Sequence, residues 1–457
     1  KQDGTGRSVD KFYRNEGNNQ AGLPIFKDVS KEAGVLAEGW GLGIIVNDFN
    51  RDGYPDVYVG NDFLSNDLLY INNQNGTFTN KIDEYLRHQS HNSMGLDMAD
   101  INNDGLNDLV VVDMLPDDNV RQKTMFGNIE YDRFQENLRR KYQPQYVRNV
   151  LQLNNGNNSF SDIGYMTGIA ATDWSWSPLM ADFDNDGLRD ILITNGYRLD
   201  VTDLDFIVYR GDDEVFGSKQ ERAKKMQEAF SKLEGVKKPN FLYKNKGNLG
   251  FENVAEQFGL DAKSYTNGTA YADLDNDGDL DLVMNNIDDE AFVYRNTLND
   301  KKEGKINHFL RVKLDGSKPN WEGFGAKITL YYQGKTQFAE HQTIRGFKST
   351  VENFVHFGLG ENNKIDSLKI IWQSGNQQVI KNIGIDKVLT ISEKNAFLPI
   401  PKSAKIEVLT FEEVSKKYKI DFISEENDYN DFLIQHTLPH KHSELGTGIA
   451  VGDVNGD

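Results

Sequence analysis

A nine-residue acidic phrase recurs along this chain in one register. It runs Asp48-Phe-Asn50-Arg-Asp52-Gly53-Tyr54-Pro-Asp56, then Asp100 to Asp108, Asp182 to Asp190 and Asp273 to Asp281, and a fifth copy opens at Asp453-Val-Asn455-Gly-Asp457. Side-chain oxygens at the first, third, fifth and ninth positions, a glycine at the sixth and a backbone carbonyl at the seventh suit a hard divalent cation that takes six to eight oxygens. The expected ion is Ca²⁺. The ligand sets read as Asp48, Asn50, Asp52, the Tyr54 carbonyl and Asp56; Asp100, Asn102, Asp104, the Leu106 carbonyl and Asp108; Asp182, Asp184, Asp186, the Leu188 carbonyl and Asp190; and Asp273, Asp275, Asp277, the Asp279 carbonyl and Asp281. These are not EF-hands, because the twelfth position, a bidentate Glu in that motif, is Val59, Val111, Ile193 or Met284. Asp, Asn and Gly also make ordinary hairpin turns, but turn chemistry does not demand acid at four fixed places in four copies.

Each loop feeds a short aliphatic run: Val57-Tyr-Val59, Leu109 to Val112, Ile191-Leu-Ile193 and Leu282-Val-Met284. These runs have the length and composition of strands. A second element recurs between the loops, at Lys11 to Asn15, Leu68 to Asn72 through Phe78, Val150 to Asn154 through Phe160, and Phe241 to Asn245 through Phe251. It reads as strand, Asn/Gly turn, strand. Together these make small antiparallel sheets, and repeated sheets of this size predict propeller blades. A partial blade is expected at 1–35 and fuller ones near 36–85, 86–165, 166–258 and 262–300. Insertions at 117–148 and 200–238 break the repeat. Helices are expected in both, from Tyr131, Phe134, Leu138 and Tyr142 in the first and from Met226, Phe230 and Leu233 in the second, where Glu221 and Lys225 form an i, i+4 pair.

Residues 305–395 switch to period-two strands (Phe309 to Leu314, Ala326 to Tyr332, Leu368 to Trp372), which predict a separate β domain. A connector with a helical stretch near 411–418 spans 396–445, and 446–457 reads as the start of a second propeller. The fold class is therefore all-β, a propeller with helical insertions followed by a sandwich-like β domain.

The blade loops together with Gly323-Phe-Gly-Ala326, His356-Phe-Gly-Leu-Gly360, Trp372-Gln-Ser-Gly375 and Val388-Leu-Thr-Ile391 resemble FG-GAP/VCBS-repeat propellers that carry an ASPIC/UnbV domain, a family that also holds the cartilage acidic proteins. Ser93-Met-Gly95, Trp174-Ser-Trp176 and Asn195-Gly-Tyr-Arg-Leu-Asp200 are similar to a subgroup of long bacterial surface proteins with tandem propellers. The resemblance implies a seven-bladed, integrin-like propeller, calcium in the loops, and export to the cell surface or medium.

A chain of 457 residues has room for two or three domains. Its 70 acidic against 51 basic residues, a net charge of −19, argue against nonspecific nucleic-acid binding. Unneutralised carboxylates about 4 Å apart repel by roughly 4 kcal/mol at an effective dielectric near 20, so the loops are expected to loosen without metal. Lacking the twelfth-position Glu, they are expected to need extracellular calcium, at about 10⁻⁴ to 10⁻³ M. There is no cysteine, which excludes disulfides, thiolate zinc sites and cysteine nucleophiles. No apolar run reaches transmembrane length. The chain opens without Met and stops inside an acidic phrase, so both ends read as cut from a longer protein, and the lack of a targeting segment is silent on location.

The remaining motifs weigh less. Arg139-Arg140-Lys141 is a basic island that reads as a solvated helix face or, more sharply, as a dock for an acidic partner. Trp174 and Trp176 share one face of a strand and read as blade core rather than a sugar platform; Trp321 is the expected exposed aromatic. His436, His440 and His442 cluster without helical alignment. Arg210-Gly-Asp212 lacks an evident hairpin. Asn75-Gly-Thr77 and Asn267-Gly-Thr269 read as turns. No catalytic triad, zinc-protease motif or phosphate loop appears. The expected function is a non-catalytic calcium-binding module for extracellular or outer-membrane proteins or glycans. The alternatives are an accessory subunit of an outer-membrane uptake or secretion assembly, and a polysaccharide-acting enzyme.

Overall fold

The computed structural model describes residues 3–125, 131–213, 218–300, 307–397, 414–425, 429–436, 438, 440–443, 446, 448 and 452. The fifth acidic phrase lies outside them. Two units are distinguished, Lys1–Pro399 and Ile400–Asp457.

The first unit opens with an antiparallel hairpin, β1 (Tyr13–Asn18) and β2 (Pro24–Asp28). Three four-stranded antiparallel sheets follow. The first is β3 (Gly41–Asn47), β4 (Asp56–Asn61), β5 (Leu68–Asn72) and β6 (Phe78–Asn80); helix α1 (Ile82–Tyr85) and β7 (Gln89–Ser90) come next. The second sheet is β8 (Leu96–Ala99), β9 (Asp108–Val111), β11 (Val150–Asn154) and β12 (Phe160–Asp162), with α2 (Asn119–Thr124), α3 (Tyr131–Arg139) and β10 (Gln145–Tyr146) between β9 and β11. After α4 (Gly164–Thr167), the third is β13 (Ser175–Ala181), β14 (Asp190–Asn195), β15 (Phe241–Asn245) and β16 (Phe251–Asn253), with α5 (Leu204–Asp213) and α6 (Lys219–Lys232) after β14. A three-stranded sheet, β17 (Thr266–Ala272), β18 (Asp281–Asn286) and β19 (Phe292–Tyr294), is the fourth. In every sheet the acidic phrase joins the first strand to the second.

The second strands lie between neighbouring sheets, which is why they read as unbroken aliphatic runs. Leu109 to Val111 and Ile191 to Ile193 are 0% exposed. Leu109 packs with Ile45, Tyr58, Leu69 and Phe160 of the first interface, Val110 with Leu151, Met180 and Ile191 of the second, and Leu192 with Leu242, Tyr271 and Met284 of the third. Each fully buried aliphatic side chain contributes about 1.5–3 kcal/mol.

The helices depart from the sequence expectation in detail. Helix α3 stops at Arg139, and Lys141 then takes a positive φ of 67°, so Tyr142 is outside it. Leu233 is the C-cap of α6, whose other end has a capping box of Ser218 and Glu221. Helix α5 was not expected, and the Arg-Gly-Asp tripeptide sits in its backbone rather than in a loop. The Lys225 side chain lies outside the described residues.

Residues beyond the blades form two further sheets. One is three-stranded, β25 (Val355–Gly360), β20 (His308–Asp315) and β28 (Lys387–Ser392), with β20 and β28 parallel; the other orders β22 (Lys335–Glu340), β21 (Lys327–Tyr332), β26 (Ser367–Ile371) and β27 (Gln377–Ile380). Leu310, Val312, Ile328, Phe357, Leu368 and Ile370 are all 0% exposed in the core they share.

This β domain is not separate from the blades. A short hairpin, β23 (Ile344–Arg345) and β24 (Ser349–Thr350), leaves it and lies among the first strands of the sheets, touching β3, β8 and β17. Gly346 exchanges backbone hydrogen bonds with Leu96 at 2.9 and 3.2 Å. Arg345 pairs with Asp97 of β8 at 2.6 Å, and the Phe347 amide donates to Ser177 Oγ at 3.1 Å. Gly346 has a φ of 69°, and a Cβ there would meet Ser177 Oγ at 2.2 Å, so no other residue fits. The finger also corrects the turn reading of Asn267-Gly-Thr269. Those residues are inside β17, and Gly268 is where the strand passes close to Ser349 Oγ.

The second unit contributes helix α7 (Ser415–Tyr418) and a 3₁₀ turn at Asp431–Leu433. There the His440 and His442 rings lie edge to face, 4.8 Å apart.

Candidate functional site

The four acidic loops share one hydrogen-bond scheme. The carboxylate at the first position accepts from the backbone N–H groups of the fifth and sixth, as in Asp104 N to Asp100 Oδ1 at 3.1 Å and Gly105 N to Asp100 Oδ2 at 2.9 Å. Asp48, Asp182 and Asp273 repeat this at 2.8–3.1 Å. The turn needs glycine at the sixth position, where Gly53, Gly105, Gly187 and Gly278 have φ of 93°, 87°, 93° and 93°. The ninth-position carboxylate accepts from the second-position N–H, at 2.9 Å for Asp56, 3.0 Å for Asp108, 3.2 Å for Asp190 and 2.8 Å for Asp281. Backbone amides thus aim the carboxylates while leaving their other lone pairs free.

Burial makes these loops electrostatically costly. Desolvation pushes Asp56 and Asp100 up to about 6, Asp182 to about 7 and Asp108 to about 8, and raises Asp190 well above the usual carboxylate range. Asp279, buried beside Asp277, is pushed up to about 7. Asp184 Oδ1, Asp277 Oδ2 and Asp279 Oδ1 are buried without a hydrogen-bond partner. In the third and fourth loops one oxygen each of Asp182, Asp184 and Asp190, and of Asp273, Asp275 and Asp281, lie within 4.8 Å of one another. Converging and mostly buried carboxylates, one oxygen of Asp184 among them left without a partner, fit a divalent cation. A third acidic group, Asp117, Asp118 and Asp173, is instead satisfied by the Lys238 ammonium, which pairs with all three.

The chain supplies some cations of its own. Lys327 pairs with Asp48, Lys244 with Asp184, and Arg311 with Asp273 at 2.6 Å. Lys327 and Arg311 come from the β domain, which also meets the loops through Gln373 Nε2 to Gly53 O at 2.8 Å and His356 Nε2 to Asn185 Oδ1 at 2.6 Å. The loops and this domain therefore form one charged interface.

Four asparagines complete the loops, a role beyond the turns that Asn/Gly pairs predict from sequence. Asn72, Asn154, Asn245 and Asn296 each donate a backbone N–H to the other oxygen of the ninth-position carboxylate at 2.7–2.9 Å. Their side-chain amides donate to the eighth-position carbonyl. Asn245 and Asn296 also reach the second-position carbonyl of the preceding loop, Ile101 O and Phe183 O, both at 2.8 Å. They stitch neighbouring blades, and an Asn at or just past the end of every third strand is the available signal. Asn245→Ala should cost about 1–3 kcal/mol, the penalty for orphaning buried carbonyls; chemical denaturation would measure it, and a loss below about 0.5 kcal/mol would contradict this role.

At the opposite ends of the first strands lies a cavity of about 1740 Å³. Trp40, Phe63, Trp174, Trp176, Tyr197 and the finger's Phe347 line it. Trp174 is thus both core, at 7% exposed, and cavity wall, stacked on Tyr197 at 4.0 Å; Trp176 anchors Nε1 on Gly196 O at 2.8 Å. The other expected partner residues are elsewhere. Trp321 is 59% exposed in the β domain. Arg139 and Arg140 are exposed at the end of α3, both facing Glu136, at 3.8 and 2.8 Å, with Lys141 in the turn beyond.

Two family descriptions match the chain: ASPIC and UnbV over residues 316–397, and FG-GAP-like repeat over residues 48–111 and 144–193. The chain is accordingly an all-β protein of FG-GAP-like propeller repeats followed by an ASPIC and UnbV domain. It is similar to cartilage acidic protein 1 of Xenopus tropicalis, 25% identical over 367 residues that cover 78% of this chain and 45% of that protein. The human protein of the same name is 24% identical over 386 residues, covering 81% and 46%. The chain spans about half the length of the curated relatives it matches. Among solved structures, an Agrocybe aegerita lectin that recognises non-reducing terminal N-acetylglucosamine matches with a TM-score of 0.28 at 13% identity, over 79% of this chain and 84% of that one. The V. cholerae biofilm matrix protein Bap1 matches at 0.24 and 9%, over 82% and 62%. Likeness at this level carries no argument about ligand or architecture.

Proposed function

We propose that this chain is a non-catalytic, calcium-stabilised binding module of an extracellular or cell-surface protein. The carrying observation is the shared loop geometry: the same backbone amides aim the carboxylates of all four loops, and in the third and fourth loops three carboxylate oxygens lie within 4.8 Å of one another, where a divalent cation would be held. Asp48, Asp100, Asp182 and Asp273 with their loop partners would hold the ions. Bound calcium supplies the charge that lets these carboxylates stay ionised while buried. The repeats, the ASPIC and UnbV domain and the similarity to cartilage acidic protein 1 support a surface or secreted setting. The cavity supports binding rather than hydrolysis. A glycosidase uses a carboxylate pair, and among the described residues lining the cavity Asp62 is the one carboxylate.

Calcium stoichiometry is the test. Equilibrium dialysis of chelator-treated protein at millimolar Ca²⁺ should find about four ions per chain, and Asp104→Ala should remove one. No bound calcium would overturn the reading.

A further inference from the structure

We propose that the aromatic cavity binds an acidic oligosaccharide, whose ring faces stack on Trp40, Phe63 and Trp176 and whose carboxylates meet Lys348 and Arg133. The inference rests on the binding-module reading and names its ligand class. Three observations carry it.

The first is size. About 1740 Å³ exceeds the roughly 300–1,000 Å³ of ordinary small-molecule sites, so the occupant is an oligomer rather than a single small molecule. The second is the wall chemistry. Trp40 and Phe63 are 60% and 58% exposed, large aromatic faces left open rather than packed. Beside them the cavity wall carries the polar side chains of Asn267, Ser349 and Thr350. Aromatic faces next to polar side chains suit a ligand with apolar C–H faces and a rim of hydroxyls.

The third is charge. The chain carries −19, which repels anions from most of its surface. The cavity departs from that balance, with Arg133 and Lys348 against Asp62. Among the described residues neither Arg133 nor Lys348 has a carboxylate partner. Lys348 stands at the tip of the finger, its Nζ 5.0 Å from the centroid of the Phe347 ring. A carboxylate-bearing sugar would answer both cations.

The experiment uses intrinsic fluorescence, since three of the five tryptophans line the cavity. The calcium-loaded full chain is titrated with cellohexaose and with the glucuronic acid hexamer of the same linkage, which differ only in their carboxylates. A saturable change with the acidic hexamer alone is expected, weakened at least about tenfold by Lys348→Gln and by Trp40→Ala. Both side chains are exposed, and both variants should keep the calcium-dependent melting shift. Equal binding of cellohexaose, no saturable change, or undiminished affinity in Lys348→Gln would overturn the proposal. Failure of saccharide binding with the calcium shift intact defeats this site and leaves the module reading standing; loss of the calcium shift as well defeats both.

Discussion

Transfer of the protein from millimolar calcium to chelator should lower its thermal midpoint steeply. Millimolar Ca²⁺ is about ten times the dissociation constant of a site near 10⁻⁴ M, so each bound ion adds about 1.4 kcal/mol, and four such sites approach roughly 6 kcal/mol. The loops will not respond equally. Lys327, Lys244 and Arg311 already offset part of the charge in the first, third and fourth loops. In the second, among the described residues, no ammonium or guanidinium pairs with the Asp100, Asp104 or Asp108 side chain, and the nearby Arg189 guanidinium is held on the Asp100 backbone carbonyl at 2.7 Å, acting on that carboxylate only through space. Asp104→Ala should therefore lose one site's share, about 1–1.5 kcal/mol in calcium, and little in chelator. An equal loss in both conditions would make Asp104 a turn residue and not a ligand.

The metal-free protein should also respond to pH. The folded-state values of Asp56, Asp182 and Asp108, about 6, 7 and 8, lie above the roughly 3.9 of an unfolded aspartate. Between about pH 4 and pH 8 the folded state binds more protons than the unfolded one, so stability falls as pH rises through that window. In chelator the protein should melt higher at pH 5 than at pH 8, and the calcium effect should be largest at pH 8. Melting curves at the two pH values check the sign.

The second large effect is expected at the finger. Asp97 is 0% exposed and accepts from Met98 N at 2.8 Å, Met180 N at 2.7 Å and Arg345 at 2.6 Å. Arg345→Ala leaves that carboxylate buried with no counter-charge, and removing one member of such a pair costs about 3–5 kcal/mol. Arg345→Met combined with Asp97→Asn should recover much of the loss, because the uncompensated charge is gone. Since Gly346 and Phe347 bond to Leu96 and Ser177 of two different blades, blades and β domain should melt in one calorimetric transition. Two resolved transitions, or a cost below about 1 kcal/mol for Arg345→Ala, would show that the finger is not integral.

The acidic phrase was fully legible in the sequence because loop chemistry is local. Glycine at the sixth position and oxygen at four others are demands that a nine-residue segment meets by itself, and all four loops take the expected turn. The blade strands were legible for a related reason: Leu109 to Val111 and Ile191 to Ile193 are buried on both faces, and an unbroken aliphatic run records that. The helix ends at Tyr142 and Leu233 were not, because hydrophobic spacing continues past the point where the backbone turns.

Residues whose partners are far away in the chain were illegible. Asn245 looks like a turn asparagine until Ile101, 144 residues earlier, is beside it. Arg345 looks like a surface charge until Asp97 is found 248 residues away. Trp174 and Trp176 sit where core and cavity meet, and periodicity reports only that a side chain is turned inward, not whether the inside is filled. The sequence by itself determined the loops, the strands and the repeat, since these follow from neighbouring residues and backbone stereochemistry. Tertiary structure alone decided that the β domain reaches in among the blades, that its cations meet the acidic loops and that an aromatic cavity forms at the opposite ends of the first strands, because each depends on burial and charge pairing between segments that local sequence cannot bring together.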